Sequence, residues 1–353
     1  MNKATFGDII SQRTVERVRR DNCFDFLRYL FAFSLILVHF CTLTDTPQFW
    51  FISGQMRVKA FFTITGFLVV YSFLRRKSLR VYCWKRLLRI VPAYVTTIFL
   101  CFIIGIFFTD ATPKEYLMSS QTAKYLLANL SFLNFIEPSL PGLFTDNPYG
   151  PFVNGSLWSM KYEVLFYILV PPFVWLMRKW RKSYVVIAIF ALNIAFHILF
   201  SWLESTTGNP LYSSIANGSH TTMVYFFSGT AILLYFDWFC DNIKWIFPSC
   251  IVYMLLTLLL DCSWLYYLEP LVFSATIISV AYYCTPLNFL QRYDNISYGL
   301  YLYHFPVIQI LVQYRLHQYN IYLAFFVALL ATILLAITSW YIIEKPALRR
   351  KVD

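Results

Sequence analysis

Charge, glycine and histidine are all scarce in this chain of 353 residues. Only 13% of residues are charged and 11 are glycine, whereas 59% are hydrophobic and 20% aromatic. So little charge cannot keep the surface of a soluble domain wet, and this excludes soluble and disordered classes in favour of a polytopic membrane protein. The sequence contains no GxxxxGK or GxGxxG run, so ATP and dinucleotides are not indicated. Its 8 cysteines are scattered, without a CxxC pair or a histidine at ligand spacing, so no metal is expected. Only Cys41 and Cys262 fall on the expected outer side, where one disulfide at most is conceivable. The first apolar run lacks a small-residue cleavage site and reads as a retained span rather than a signal peptide.

What the chain does have is apolar length. An all-α fold with about ten transmembrane helices is expected, each needing about 20 residues. They fall near 24–42, 58–74, 90–109, 157–177, 184–203, 221–238, 243–260, 265–284, 296–313 and 321–343. The basic residues test this reading, because cytoplasmic loops hold the excess of Lys and Arg. With the N-terminus inside, 22 of the 29 Lys and Arg residues fall on the inner side and only Arg57, Lys59, Lys114, Lys124 and Arg315 outside. Both termini are therefore expected to be cytoplasmic, and the net charge of +11 reflects topology and membrane lipid rather than nucleic acid. The expected organisation is a basic N-terminal segment (1–23), a single membrane domain (24–343) with one long outer loop (about 110–156), and a cytoplasmic tail (344–353). The loop is rich in Pro and Gly, yet "YLLANLSFLNFI" (125–136) suggests a short helix on or in the outer leaflet. It reads equally as a lid over a site or as a connector.

Candidate chemistry lies where ionisable residues interrupt the spans. Arg28 and His39 are eleven positions apart in the first apolar run, which at about 100° and 1.5 Å per residue puts them on one helix face about 16 Å apart. Ionisable groups inside a span are costly and mark functional sites by default. Glu163 lies one to two turns inside the fourth span; it can pair with Lys161, orient an acceptor hydroxyl, or hold His39 in its productive tautomer. His304 sits among Tyr298, Tyr301 and Tyr303 in the ninth span, whereas His197 reads as a core residue. Arg86 and Arg89 stand at i and i+3 as the third span begins, sharing a face that can grip the phosphates of a ligand such as coenzyme A.

In order along the chain, "FDFLR", "FFTITGFLV" (61–69), "RLLRIVPAY" (86–94), "GSLWSMKYEVLFY" (155–167), "ISYGLYLYHFPV" (296–307) and "EKP" (344–346) resemble the motifs of acyltransferase family 3, the bacterial membrane O-acetyltransferases of envelope polysaccharides. Thr65, Lys161, Phe26 and Tyr29 depart from the common pattern. The resemblance implies ten spans in the bacterial inner membrane and acetyl-CoA as cytoplasmic donor. The implied acceptor is a sugar hydroxyl, often of a lipid-linked glycan such as O-antigen, capsule or exopolysaccharide. It also implies His39 as catalytic base with Arg28 as its donor-side partner and Glu163 in the site. Arg86, Arg89 and Tyr94 fall to the donor, and Ser156, Trp158, Tyr298 and His304 to the site lining. No fused extracytoplasmic domain is expected. A transporter or flippase using Arg and His as an ion relay is the alternative from another class, but the repeat symmetry that such folds carry is not visible. Nothing in the sequence sets the oligomeric state.

Overall fold

The computed structural model describes residues 9–47, 53–75, 78–259 and 263–350. Lys3, Arg76, Lys77, Cys262 and Lys351 lie outside them, so their expected places are not tested. The described chain is helical, with one isolated bridge, Ser139 to Phe152, as its only extended pairing among those residues. The seven described cysteines are free.

The helices, in order, are α1 (Gln12–Val18), α2 (Phe24–Leu43), α3 (Gly54–Leu74), α4 (Leu79–Phe108), α5 (Pro113–Met118) and α6 (Ser120–Leu130). After a 3-10 turn (Gly155–Ser159) come α7 (Met160–Lys179), α8 (Lys182–Thr207), α9 (Pro210–Leu234), α10 (Phe236–Leu259) and α11 (Glu269–Tyr283). The chain closes with α12 (Ser297–Gln313), α13 (Leu316–Tyr319), α14 (Ile321–Ser339), a π turn (Trp340–Glu344) and α15 (Lys345–Leu348). Each of the ten expected segments coincides with a helix. Seven are long and apolar enough to cross a membrane, and Glu269–Tyr283 with Thr285–Arg292, bent by 76°, makes up to eight. Of the other two, α12 has 17 residues and α9 carries the polar run "SSIANGSHTT", so each falls short for a different reason.

Two compact units are formed. The first comprises Met1–Leu27, Gly54–Tyr82 and Tyr167–Tyr293. α3 and α9 cross closely in it, and glycine is required on both sides. A Cβ on Gly66 would stand 1.9 Å from the Phe226 carbonyl oxygen, and one on Gly229 would stand 2.1 Å from that of Thr63. Thr230 Oγ1 donates across the same crossing to the Gly66 carbonyl at 3.1 Å. The "TITGF" motif is thus a packing device. α1 is tied to the start of α10 by Arg17 and Arg13, 2.5 and 2.9 Å from Asp241. His197 groups with His220, Tyr266 and Tyr267 in this unit.

The second unit comprises Arg28–Ser53, Cys83–Phe166 and Asp294–Asp353. From Arg28 onward α2 packs on α12 and α14 through Ile36, Phe40, Leu43, Leu300, Phe305, Ile308, Ala328 and Ala336. Gly299 permits the α12–α14 contact, since a Cβ there would meet the Ala336 Cα at 2.8 Å. The loop of about 110–156 carries two short helices, α5 and α6. Thr112 and Glu115 form a capping box that starts α5. α5 and α6 then run back along α4: Tyr116 donates to the Phe102 carbonyl at 2.9 Å and Tyr94 to that of Asn129 at 2.9 Å. Tyr94 lies 14 residues, about 21 Å of helix, before the end of α4 at Phe108. The rest of the loop is stitched to α12 by Gln309, whose amide donates to Gly150 and Phe152 carbonyls at 3.1 and 2.9 Å and accepts from Asn147 at 2.8 Å.

Candidate active site

All ten residues singled out from the sequence fall in the second unit, although they come from four separate helical stretches. α2 is one unbroken helix, so Arg28 and His39 keep the shared face and the separation of about 16 Å that their spacing requires.

The packing of α2 on α12 sets His39 against His304. The rings lie nearly parallel, 12° apart, with His39 Nδ1 2.7 Å from His304 Nε2. His304 is fully buried, and its Nδ1 lies 3.0 Å from the Leu300 carbonyl oxygen. A carbonyl only accepts, so Nδ1 of His304 carries the proton. In the neutral ring its Nε2 is then an acceptor, which makes Nδ1 of His39 the donor and leaves Nε2 of His39 with a lone pair. A backbone carbonyl therefore fixes, through one buried imidazole, which nitrogen of His39 can take a proton. Phe305 closes the edge of His39 at 5.5 Å. Gly155 leaves room for the Phe305 ring, which a Cβ would meet at 2.8 Å.

Glu163 is buried beside Tyr301, on which its charge acts. The Tyr301 hydroxyl donates to the Ser156 carbonyl and lies 3.0 Å from Ser159 Oγ. Ser156 Oγ donates to Asn154 Oδ1 at 2.6 Å, and the Asn154 amide donates to the Leu302 carbonyl at 2.9 Å. Ser156 thus locks the 3-10 turn onto α12. Among the described residues Lys161 takes no carboxylate partner; its ammonium lies 4.5 Å over the Phe135 ring and 5.2 Å over that of Tyr162. Trp158 is partly exposed, edge-on to Tyr162.

A second polar group gathers about two turns away along α12. Tyr298 donates to the Ile90 carbonyl at 3.1 Å, beside Arg89. Arg86 and Arg89 are half-buried there, and Arg89 acts electrostatically on buried Glu344. Ser339 Oγ donates to Glu344 at 3.2 Å and pairs with the Tyr303 hydroxyl at 3.0 Å. Tyr29, next to Arg28, donates to the Asp294 carbonyl at 2.9 Å and accepts from the Ile296 N–H at 3.0 Å. Lys345 lies 2.5 Å from Asp294 and holds that carboxyl below its usual range. From Tyr298 to His304 is six residues, about 9 Å of rise.

Tyr94 is buried, its hydroxyl donating to the Asn129 carbonyl at 2.9 Å and its ring stacked on Phe132 at 4.3 Å. Glu344, Tyr301 and Asn154 had not been singled out as site residues. Glu344 had a signal, being a carboxylate at the end of the last span; Asn154 had none.

Ionisable and imidazole side chains buried inside apolar helices mark a functional site within a membrane protein. The acyltransferase domain family matches residues 21–344. An "O-acetyl transferase" of Shigella phage Sf6 is 26% identical over 94% of this chain and 98% of its own length. "Nodulation protein 10" of Rhizobium leguminosarum bv. viciae is 26% identical over 94% of both chains. "Peptidoglycan O-acetyltransferase OatA" of Listeria monocytogenes is 24% identical over 84% of this chain and 52% of its own length. No solved structure matches. The chain belongs to acyltransferase family 3, and it is a multi-pass membrane O-acetyltransferase.

Proposed function

We propose that the enzyme takes an acetyl group from cytoplasmic acetyl-CoA and delivers it to a sugar hydroxyl of a cell-surface or lipid-linked polysaccharide, working in the bacterial inner membrane with both termini in the cytoplasm. The observation that carries this is the hydrogen-bonded line from the Leu300 carbonyl through His304 to His39, because it supports a base at Nε2 of His39. The excess of Lys and Arg on one side supports donor entry there. The glycan acceptor is supported by the relative named as a peptidoglycan O-acetyltransferase.

Nε2 of His39 removes the proton of the acceptor hydroxyl as that oxygen attacks the thioester carbonyl carbon. The C–O bond forms, the C–S bond breaks, and the thiolate leaves with the proton returned from His39. General-base help of this kind is worth roughly 100- to 10,000-fold. Arg28, on the same face of α2, steadies charge on the thioester oxygen or its arm. Arg86 and Arg89, one helical turn apart on α4 with buried Glu344 in the field of Arg89, hold donor phosphates. Glu163 and the Tyr301–Ser156 group line the acceptor side.

The test is transfer of label from radioactive acetyl-CoA to membrane glycolipid or polysaccharide, comparing wild type with His39→Ala and Arg89→Ala at matched folded amount. The reading requires transfer to vanish with His39→Ala and the donor KM to rise with Arg89→Ala. Full activity of the His39 variant, or no transfer to any glycan of its own cells by wild type, overturns it.

A further inference from the structure

The first unit holds a cleft of about 590 Å³ lined by Arg17, Arg19, Arg20, Tyr282, Tyr283 and Thr285, among others. That is within the roughly 300–1,000 Å³ of small-ligand sites, and it uses no residue of the acetyl-transfer site. Its three guanidinium groups are not equivalent. Arg17 is held by Asp241 at 2.5 Å and by the Asp237 carbonyl at 2.6 Å, so its charge is spent on tying α1 to α10. Arg19 and Arg20 are exposed and have no side-chain partner among the described residues. Asp21 on the rim offsets one charge.

The turn that presents these two arginines is preorganised. The Tyr282 hydroxyl donates to the Val18 carbonyl at 3.2 Å, the Asn22 amide donates to that of Arg20 at 3.0 Å, and Gln291 donates to the Asn22 carbonyl at 2.6 Å. α1 and α11 both end at this cleft, so their carbonyl ends would by themselves repel an anion. Arg19 and Arg20 are what reverses that sign. Beside them Tyr283 offers a partly exposed ring.

We propose that this cleft binds a phosphate ester of nucleotide or headgroup size, gripped by Arg19 and Arg20 and flanked by the Tyr283 ring. The phosphate has two possible sources, a soluble nucleotide or an anionic phospholipid, and both are tested on the full chain in nanodiscs. One arm titrates adenosine 3′,5′-bisphosphate in neutral-lipid discs; the other measures phosphatidylglycerol retained by native mass spectrometry. The double variant Arg19→Gln/Arg20→Gln removes two charge-assisted contacts and is expected to weaken the bound phosphate by about 10- to 100-fold. Arg19→Lys/Arg20→Lys keeps the charge and should retain most of the binding. Tyr283→Ala should weaken only the nucleotide, because a headgroup has no ring to stack. A loss in the nucleotide arm assigns a soluble ligand, and a loss in the lipid arm assigns a headgroup. If the Gln variant, with an unchanged melting temperature, binds both probes as wild type does, the proposal fails, and acetyl transfer through His39 is untouched by that outcome.

Discussion

Replacing His304 by phenylalanine keeps a flat ring beside Phe305 but removes the acceptor that faces Nδ1 of His39. A buried donor left without a partner costs about 1–3 kcal/mol. At 1.4 kcal/mol per tenfold, that depletes the productive tautomer of His39 by about 5- to 150-fold. A ceiling of about 10,000-fold applies where loss of an orienting partner locks a catalytic histidine in its wrong tautomer. Because His304 is fully buried and serves through His39, the loss should fall on kcat and leave KM nearly unchanged. His304→Gln returns an amide oxygen near the lost Nε2 and should recover part of the rate. The assay is initial-rate acetyl transfer with acetyl-CoA and glycan acceptor each varied, normalised to folded protein by melting in detergent. Wild-type kcat in the Phe variant refutes the relay. So does a defect confined to KM, or equal rates for the Phe and Gln variants.

Tyr94→Phe should lower stability by about 0.5–1.5 kcal/mol, the worth of one hydrogen bond, with donor KM unchanged if the Asn129 contact is its whole task; a raised donor KM in a protein of unaltered melting temperature assigns Tyr94 to the donor instead. Gly66→Ala forces a Cβ against the Phe226 carbonyl and should cost at least about 1–3 kcal/mol as an overpacked contact, read as a fall in melting temperature and yield, and an unchanged melt refutes the crossing. Lys345 depresses the Asp294 carboxyl in the folded state. That contribution is complete above the ordinary Asp value of about 3.9 and is lost as pH falls through the lower folded value. Stability should therefore be insensitive to this pair from pH 5 to 8 and decline below about 4, a decline that Lys345→Met should blunt in acid melts.

Features written at helical period within one apolar run were legible in the sequence. The spacing of Arg28 and His39 needs only a continuous α2, and α2 is continuous. The i and i+3 placement of Arg86 and Arg89 holds for the same reason. The partner of His39 was not legible, because nothing local to residue 39 or 304 specifies which face of α12 meets α2; that follows from Gly299 and Ala336 bringing α12 onto α14. Lys161 and Glu163 are close in sequence, yet i and i+2 positions do not face each other on a helix, and Lys161 goes to aromatic rings. The loop of about 110–156 reads as irregular from its prolines, but Pro113 is at the start of α5, and "TPKE" spells its capping box. Tyr94 lay inside a motif, and a motif says that a residue matters without saying whether it touches ligand or holds the scaffold.

The hydrogen bond between His39 and His304 joins residues 265 positions apart, and this bears on how the enzyme is made. Translation proceeds at about 5–20 residues per second, so α2 waits roughly 13 to 53 s in the membrane before the residue that sets its tautomer has been synthesised. Under the proposed mechanism, His39 spends that interval without the residue that orients it, so competence arrives with one of the last helices and incomplete chains are expected to be silent in acetyl transfer.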